Sequence, residues 1–238
     1  MPNMKGKICL ITGGTNGIGK VTAQELARMG TTVVIVGRNA EKTAQVVAEI
    51  RAITGNENVD MLLADLSSQQ AIRQLASEFK SKYSRIINVS SNAHKSAKLD
   101  FDNLQGERSY SAGAYGASKL ANILFTIELA RRLEGTGVTV NALHPGLVNT
   151  GFGKNNSGFV MKLIGAVVPF IARSPEKGAE TSIYLAASPD VHIVTGKYFV
   201  DSKVAQAAAQ AADPTVAKKL WDVSSVLVKL TDTMPAAV

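Results

Sequence analysis

The segment that most restricts what this chain can fold into is Thr12-Gly13-Gly14-Thr15-Asn16-Gly17-Ile18-Gly19, which follows the short apolar run Lys7 to Ile11. Gly13 permits a tight turn directly after a strand. Gly17 lets the backbone approach a bound group closely, and Gly19 lets the following helix pack close to the sheet. The first turn of that helix leaves N–H groups without intrahelical partners and carries the positive end of the helix dipole, an arrangement that suits phosphate. A lone glycine pattern would say little. Here a strand precedes it, a helix follows, and the β-branched run Thr32 to Val36 supplies a second strand, which is the context of a dinucleotide-binding turn. Thr15, Asn16 and Ile18 lie inside the turn and join the glycines as expected cofactor contacts.

Strand and helix patterns alternate along nearly the whole chain. After the helix stopped by Gly30 and the strand Thr32–Val36, Asn39 can cap a helix with Val46, Val47, Ile50 and Ile53 on its inner face, ended by Gly55. Val59–Ala64 reads as a third strand. Ser67 and Gln70 have capping-box spacing before a helix with Ile72, Leu75 and Phe79 facing inward. Arg85–Val89 is a fourth strand, Tyr115–Leu133 a long helix, and Val138–Leu143 a fifth strand ended by His144-Pro145-Gly146. Helical pieces follow at Phe159–Ile171 and Pro175–Ala187, with a last strand at Tyr198–Val200. The tail Val216–Leu230 is amphipathic, and Trp221 reads as packing. The pattern implies an α/β fold, a Rossmann-like doubly wound parallel sheet forming a single domain over residues 1–238.

Composition narrows the function classes. Lys and Arg number 26 against 19 Asp and Glu, for a net charge of +7, but they are scattered, with no basic run or aromatic-studded motif for nucleic acid. The surplus suits ligands that carry phosphates. A single cysteine, Cys9, excludes an intramolecular disulfide framework, fits a reducing compartment and lies in an apolar run, where inert packing is expected. The Met1–Lys7 stretch has no apolar signal region. The most membrane-like stretch, Phe159–Ala172, is too short to span and contains Lys162 and Pro169. These features point to a cytoplasmic protein without a transmembrane segment.

Two further places carry chemistry. The second strand ends in Gly37-Arg38-Asn39, where a carboxylate would bind the ribose 2′-hydroxyl of NAD. Arg38 can instead pair with the 2′-phosphate of NADP, so NADP is expected ahead of NAD. Asp65, ending the third strand, either contacts the adenine or caps the helix near Ser67. In Tyr115-Gly116-Ala117-Ser118-Lys119, the spacing i, i+4 puts a phenol and an ammonium on one helix face, and a nearby positive charge favours the phenolate needed for acid–base work.

In order, these motifs resemble the short-chain dehydrogenase/reductase family over nearly the whole chain. Asn103-Leu104-Gln105, Tyr115 to Asn122, His144-Pro145-Gly146, Gly196-Lys197-Tyr198-Phe199 and Leu220-Trp221-Asp222 resemble its retinol-dehydrogenase-like branch. The resemblance implies an NADP-dependent oxidoreductase that moves a hydride between nicotinamide and a carbonyl or alcohol substrate with an apolar body. It implies Tyr115 as general acid or base and Lys119 as the group that lowers its pKa and holds the nicotinamide ribose. Ser91 would hydrogen-bond the substrate carbonyl. Leu66, Pro145, Gly146, Val148 and Thr150 would contact the cofactor, Thr150 at the carboxamide. Residues of about 150–175 would form an apolar lid, and homo-oligomers are usual in such families. His144 reads as structural, and the alternative for Ser91 is a turn cap.

The chain departs from the family in one place. A complete member has another strand and helix between Ser84 and Arg85, including an asparagine of the catalytic tetrad. The connection Lys82-Tyr83-Ser84-Arg85 also lacks the glycine found at the other main helix-to-strand connections, Gly30, Gly55 and Gly135 with Gly137. The lost strand would lie between the first strand and the one leading to Ser91. Closing the slot would move the latter by roughly 4.8 Å, and errors of about 1 Å can cost on the order of 100-fold in rate. A catalytically impaired deletion variant that still binds dinucleotide is therefore the alternative reading.

Overall fold

The computed structural model describes residues 2–79, 85–110, 113–148 and 172–230. In chain order its main elements are β1 (Ile8–Thr12), α1 (Gly17–Arg28), β2 (Thr32–Gly37), α2 (Ala40–Thr54), β3 (Val59–Leu63), α3 (Gln69–Glu78), β4 (Arg85–Val89), α4 (Ala114–Arg132), β5 (Thr139–His144), α5 (Pro175–Ala187), β6 (Tyr198–Val200), β7 (Lys203–Ala205) and α6 (Pro214–Leu227). They fall into two compact units, Met1–Lys82 with Leu147–Ser188 and Tyr83–Gly146 with Pro189–Val238. Each unit has parallel strands flanked by helices, the Rossmann-like arrangement expected.

In the first unit the sheet order is β1-β2-β3, all parallel, with Ile11 beside Ile35 and Val36 beside Leu62. Its core gathers Leu26 of α1, Val33 and Ile35 of β2, Val46 and Ile50 of α2 and Val59 of β3, all buried. Burying β2 on both faces is what its unbroken β-branched run dictates. Asn39 caps α2 as expected, its Oδ1 accepting from the Lys42 N–H at 2.8 Å, and Gly55 closes the helix at φ 69°. Cys9 packs partly buried against the same core, and burial pushes its thiol up to about 11, the inert state expected.

Three expectations need correcting in this unit. Ile53 is exposed, because the buried stripe of α2 ends at Ile50. Helix α3 is capped by Ser68, not Ser67. The Ser67 hydroxyl is taken by the Asp65 carboxylate at 2.8 Å, so the next serine accepts from the Ala71 N–H. Only Leu75 of α3 is buried, while Ile72 is exposed and Phe79 is the C-cap residue.

In the second unit β4, β5 and β6 are parallel and β7 closes antiparallel on β6. β7 lies beyond the last strand that the sequence pattern implies. The two-residue turn Asp201-Ser202 that leads into it has φ of 50° and 59°, a geometry normally signalled by Asn-Gly or Asp-Gly. Leu120, Ile123, Leu124, Ala142, Tyr198 and Leu220 form the core. Trp221 has the packing role expected, stacked on Phe125 at 5.8 Å with the Arg132 guanidinium 4.3 Å from its ring centre.

β1 and β4 share no ladder: among the described residues β1 pairs with β2 and β4 with β5. Each unit builds its own core. No helix among the described residues is long and apolar enough to cross a membrane.

Candidate active site

The glycine turn is built as its spacing requires. Gly13 and Gly17 take φ of 68° and 51°, conformations that are costly for any residue with a Cβ. Asn16, the N-cap of α1, accepts from the Gly17 N–H at 2.8 Å. A Cβ on Gly19 would lie 2.4 Å from the Gly13 oxygen, so the helix start closes directly on the turn backbone. Gly14, absent from the sequence assignment, is also required. Its Cβ would come within 2.9 Å of the Ile35 side chain on the neighbouring strand. The cradle that a side chain would fill, with helix N–H groups at its rim, fits the pyrophosphate of a dinucleotide.

The end of β2 is equally tight. A Cβ on Gly37 would sit 2.1 Å from the hydroxyl oxygen of buried Thr43, leaving Arg38 as the first side chain beyond the strand. Asp65 accepts from the Ser67 N–H at 3.0 Å and from its hydroxyl at 2.8 Å. Those bonds, followed by the charge of Arg38, hold its carboxyl below the usual range. Asp65 therefore shapes the turn before α3 and faces the Arg38 field. Leu66 beside it is exposed. Val148 bridges to Arg173, whose N–H donates to the Leu147 carbonyl at 2.7 Å. A Cβ on Gly178 of α5 would lie 2.6 Å from Val148 Cγ2 and 3.2 Å from Ile18 Cγ1, so α5 presses these two candidate residues together. Thr150 and most of the lid segment lie outside the described residues.

The second unit holds Ser91, Tyr115 and Lys119. The residue before Ser91 ties β4 to its neighbours: the Ser90 N–H donates to Leu143 O and its hydroxyl to Lys119 O, both at 2.7 Å. The Lys119 ammonium lies 5.5 Å from the Tyr115 ring centre and donates to the Val89 carbonyl at 3.2 Å, as does the Asn122 amide. Burial holds the lysine's pKa below its ordinary value. Tyr115 is exposed, at 40%. The Ser91 hydroxyl accepts from the Ala93 N–H at 3.3 Å, which makes it a turn cap and still leaves its own proton to donate. Pro145 and Gly146, the latter at φ 87°, turn the chain away from β5. His144 Nδ1 accepts from the Asn92 N–H at 3.3 Å, in keeping with a structural role. Ser90 and Asn122 were not singled out in sequence, since only tertiary contacts give them their partners.

The family model described as short chain dehydrogenase matches residues 7–108 and 84–159. Retinol dehydrogenase 11 of Homo sapiens is 37% identical over an alignment of 279 residues, covering 95% of this chain and 87% of that protein. Retinol dehydrogenase 14 of Homo sapiens is 35% identical over 294, covering 95% and 88%. Both alignments are longer than the chain's 238 residues, and the two family-model segments overlap from residue 84 to 108. Among solved structures, an uncharacterized protein from Mycobacterium paratuberculosis superposes with TM-score 0.75 at 23% identity, covering 96% of each chain. The Pseudomonas aeruginosa RhlG/NADP complex does so with TM-score 0.64 at 24% identity, covering 84% of this chain and 96% of that one. From the motif order, the glycine cradle and these relatives together, the chain belongs to the short-chain dehydrogenase family of NAD(P)-dependent oxidoreductases, on the retinol-dehydrogenase-like side.

Proposed function

We propose that this protein is an NADP-dependent oxidoreductase acting on a ketone, aldehyde or alcohol with an apolar body. The observation that carries the proposal is the grouping of Ser91, Tyr115 and Lys119 in one unit, with the lysine ammonium beside the tyrosine ring. In the reductive direction Ser91 donates a hydrogen bond to the substrate carbonyl oxygen. Tyr115 transfers its phenolic proton to that oxygen as the carbonyl carbon gains hydride. In oxidation Tyr115 takes the proton back. Lys119 supplies positive charge beside Tyr115 and binds the nicotinamide ribose. When bound, the cofactor supplies or accepts the hydride. Gly13, Thr15, Asn16, Gly17, Ile18 and Gly19 hold its pyrophosphate, Asp65 and Leu66 flank the adenine, and Pro145, Gly146, Val148 and Thr150 hold the nicotinamide end.

Preference for NADP rests on Arg38 at the end of β2, where no carboxylate follows the strand. An apolar substrate is supported by the retinol dehydrogenases among the relatives. The single cysteine supports a cytoplasmic location, and a homo-oligomer fits the family pattern. Replacing Tyr115 by Phe removes the transferable proton without changing the fold. Turnover on a carbonyl panel with NADPH should vanish while cofactor binding stays within about twofold, and turnover that survives would reassign the acid.

A second reading rests on the connection Lys82-Tyr83-Ser84-Arg85, which lacks the glycine of the other main helix-to-strand connections. On that reading the chain is a deletion variant that binds dinucleotide without efficient turnover. NADPH binding in calorimetry with no turnover across the panel would select it, and turnover at ordinary enzymatic rates would dismiss it.

A further inference from the structure

Between Ser91 and the helix of Tyr115 lies a short 3-10 turn, Asn92–Ser96, that carries a fully buried histidine, His94. Its bonding partners fix its tautomer. A carbonyl only accepts, so the contact of Nδ1 with Ser91 O at 2.6 Å places the proton on Nδ1. Nε2 accepts from the Ala208 N–H at 3.0 Å. The ring stands edge-on to Tyr198, 4.9 Å between centres. The Tyr198 hydroxyl in turn donates to Asn92 Oδ1 at 3.0 Å. The turn is thus held from the alanine-rich segment, from β6 and, through the Asn92–His144 bond, from the end of β5.

The turn also rests on α4. A Cβ on Gly116 would lie 2.8 Å from the Ala93 carbonyl oxygen and 3.2 Å from Ala97 Cβ. The turn therefore meets the backbone of α4 with no side chain between them, one residue from Tyr115. Ser91 precedes the turn and Tyr115 adjoins its seat, so the thickness and tilt of the turn determine their offset.

We infer that His94 is a positioning residue: by fixing the turn Asn92–Ser96 against the Gly116 seat, it sets Ser91 in register with Tyr115. The inference rests on the catalytic assignment of Ser91 and Tyr115 made under Proposed function. A displacement of about 1 Å at such a pair can cost on the order of 100-fold in rate.

The test compares His94→Leu, which keeps bulk but loses both hydrogen bonds, with His94→Asn, whose amide can still donate to Ser91 O. His94→Leu should lower kcat roughly 10- to 100-fold, with KM for NADPH within about twofold, and His94→Asn should recover most of the loss. An unchanged kcat in folded His94→Leu overturns the inference, as does a loss in KM alone. Amide NMR of the same proteins reads the register without turnover. The Ser91 and Tyr115 signals should shift together in His94→Leu, and unchanged signals overturn it. A parent protein without turnover defeats the catalytic assignment, and the NMR comparison then decides on the register by itself. If His94→Leu does not fold, Gly116→Ala disturbs the same seat from the α4 side and must produce the same joint shift; its absence refutes the spacer.

Discussion

Replacing Gly19 by alanine puts a methyl carbon 2.4 Å from Gly13 O, 2.9 Å from Gly13 C and 3.2 Å from Gly14 Cα. All three are backbone atoms of the turn, so no side chain can rotate away. Since carbon–oxygen contact becomes ordinary near 3.4 Å, turn and helix must separate by about 1 Å. Overpacking of this kind costs about 1–3 kcal/mol. If that cost falls on the binding-competent turn, it corresponds to roughly 5- to 150-fold in dinucleotide affinity. If it falls on the fold, it lowers Tm by about 2–12 °C for a chain of this length. Calorimetric titration of wild type and Gly19→Ala with NADPH and NADH, with a thermal melt of each sample, separates the two. Both cofactors should weaken equally, because they share the pyrophosphate that the turn holds. Gly14→Ala comes closer than 3.4 Å only to the Ile35 methyl, at 2.9 Å, and should cost less. A folded Gly19→Ala that binds both cofactors within twofold of wild type, with an unchanged Tm, would refute this account of the turn.

Arg38→Ala should weaken NADPH by roughly 10- to 100-fold, the loss of a charge-assisted pair, and leave NADH nearly unchanged; equal losses in the same titration would move the 2′-phosphate contact elsewhere. Gly178→Ala should weaken cofactor binding by driving into Val148 and Ile18, and Val148→Ala should relieve part of the damage. A double-mutant cycle should show coupling of about 0.5–3 kcal/mol, and strict additivity would contradict the contact. Burial holds the His94 pKa below its ordinary 6.5, with Lys95 acting the same way and the bond to the Ser91 carbonyl opposing. The unfolded chain therefore takes up a proton that the folded chain resists. This contribution is fully present above about 6.5 and is lost as pH falls from there toward the folded pKa. Urea midpoints at pH 7.5 and 5.5 should fall more in wild type than in His94→Leu, and equal falls would place the titration on other groups.

Short-range chemistry was readable from the residues. The four-glycine turn, the Asn39 cap and the Gly55 terminator each act within a few residues, so identity and spacing suffice to place them. The candidate residues Ser91, Tyr115 and Lys119 were legible for a different reason, since their motifs occur in family order along the chain. Boundary cases failed where two local options competed. Ser67 and Ser68 could each cap α3, and the Asp65 carboxylate decided between them. Asp201-Ser202 could not announce a hairpin, because left-handed backbone at two non-glycine residues is imposed by the β6–β7 ladder.

By itself the sequence determined a dinucleotide-binding α/β chain with a serine, tyrosine and lysine in family order, because periodicity and turn chemistry are properties of neighbours along the chain. Tertiary structure alone decided what meets at long range. It seats Gly116 on the Ala93 carbonyl, aims Lys119 and Asn122 at Val89 O, and pins His94 to Ala208, 114 positions away. It also decided that β1 and β4 belong to separate ladders. Close backbone approach and hydrogen bonding between distant residues depend on how elements pack, and no spacing rule within the chain encodes that.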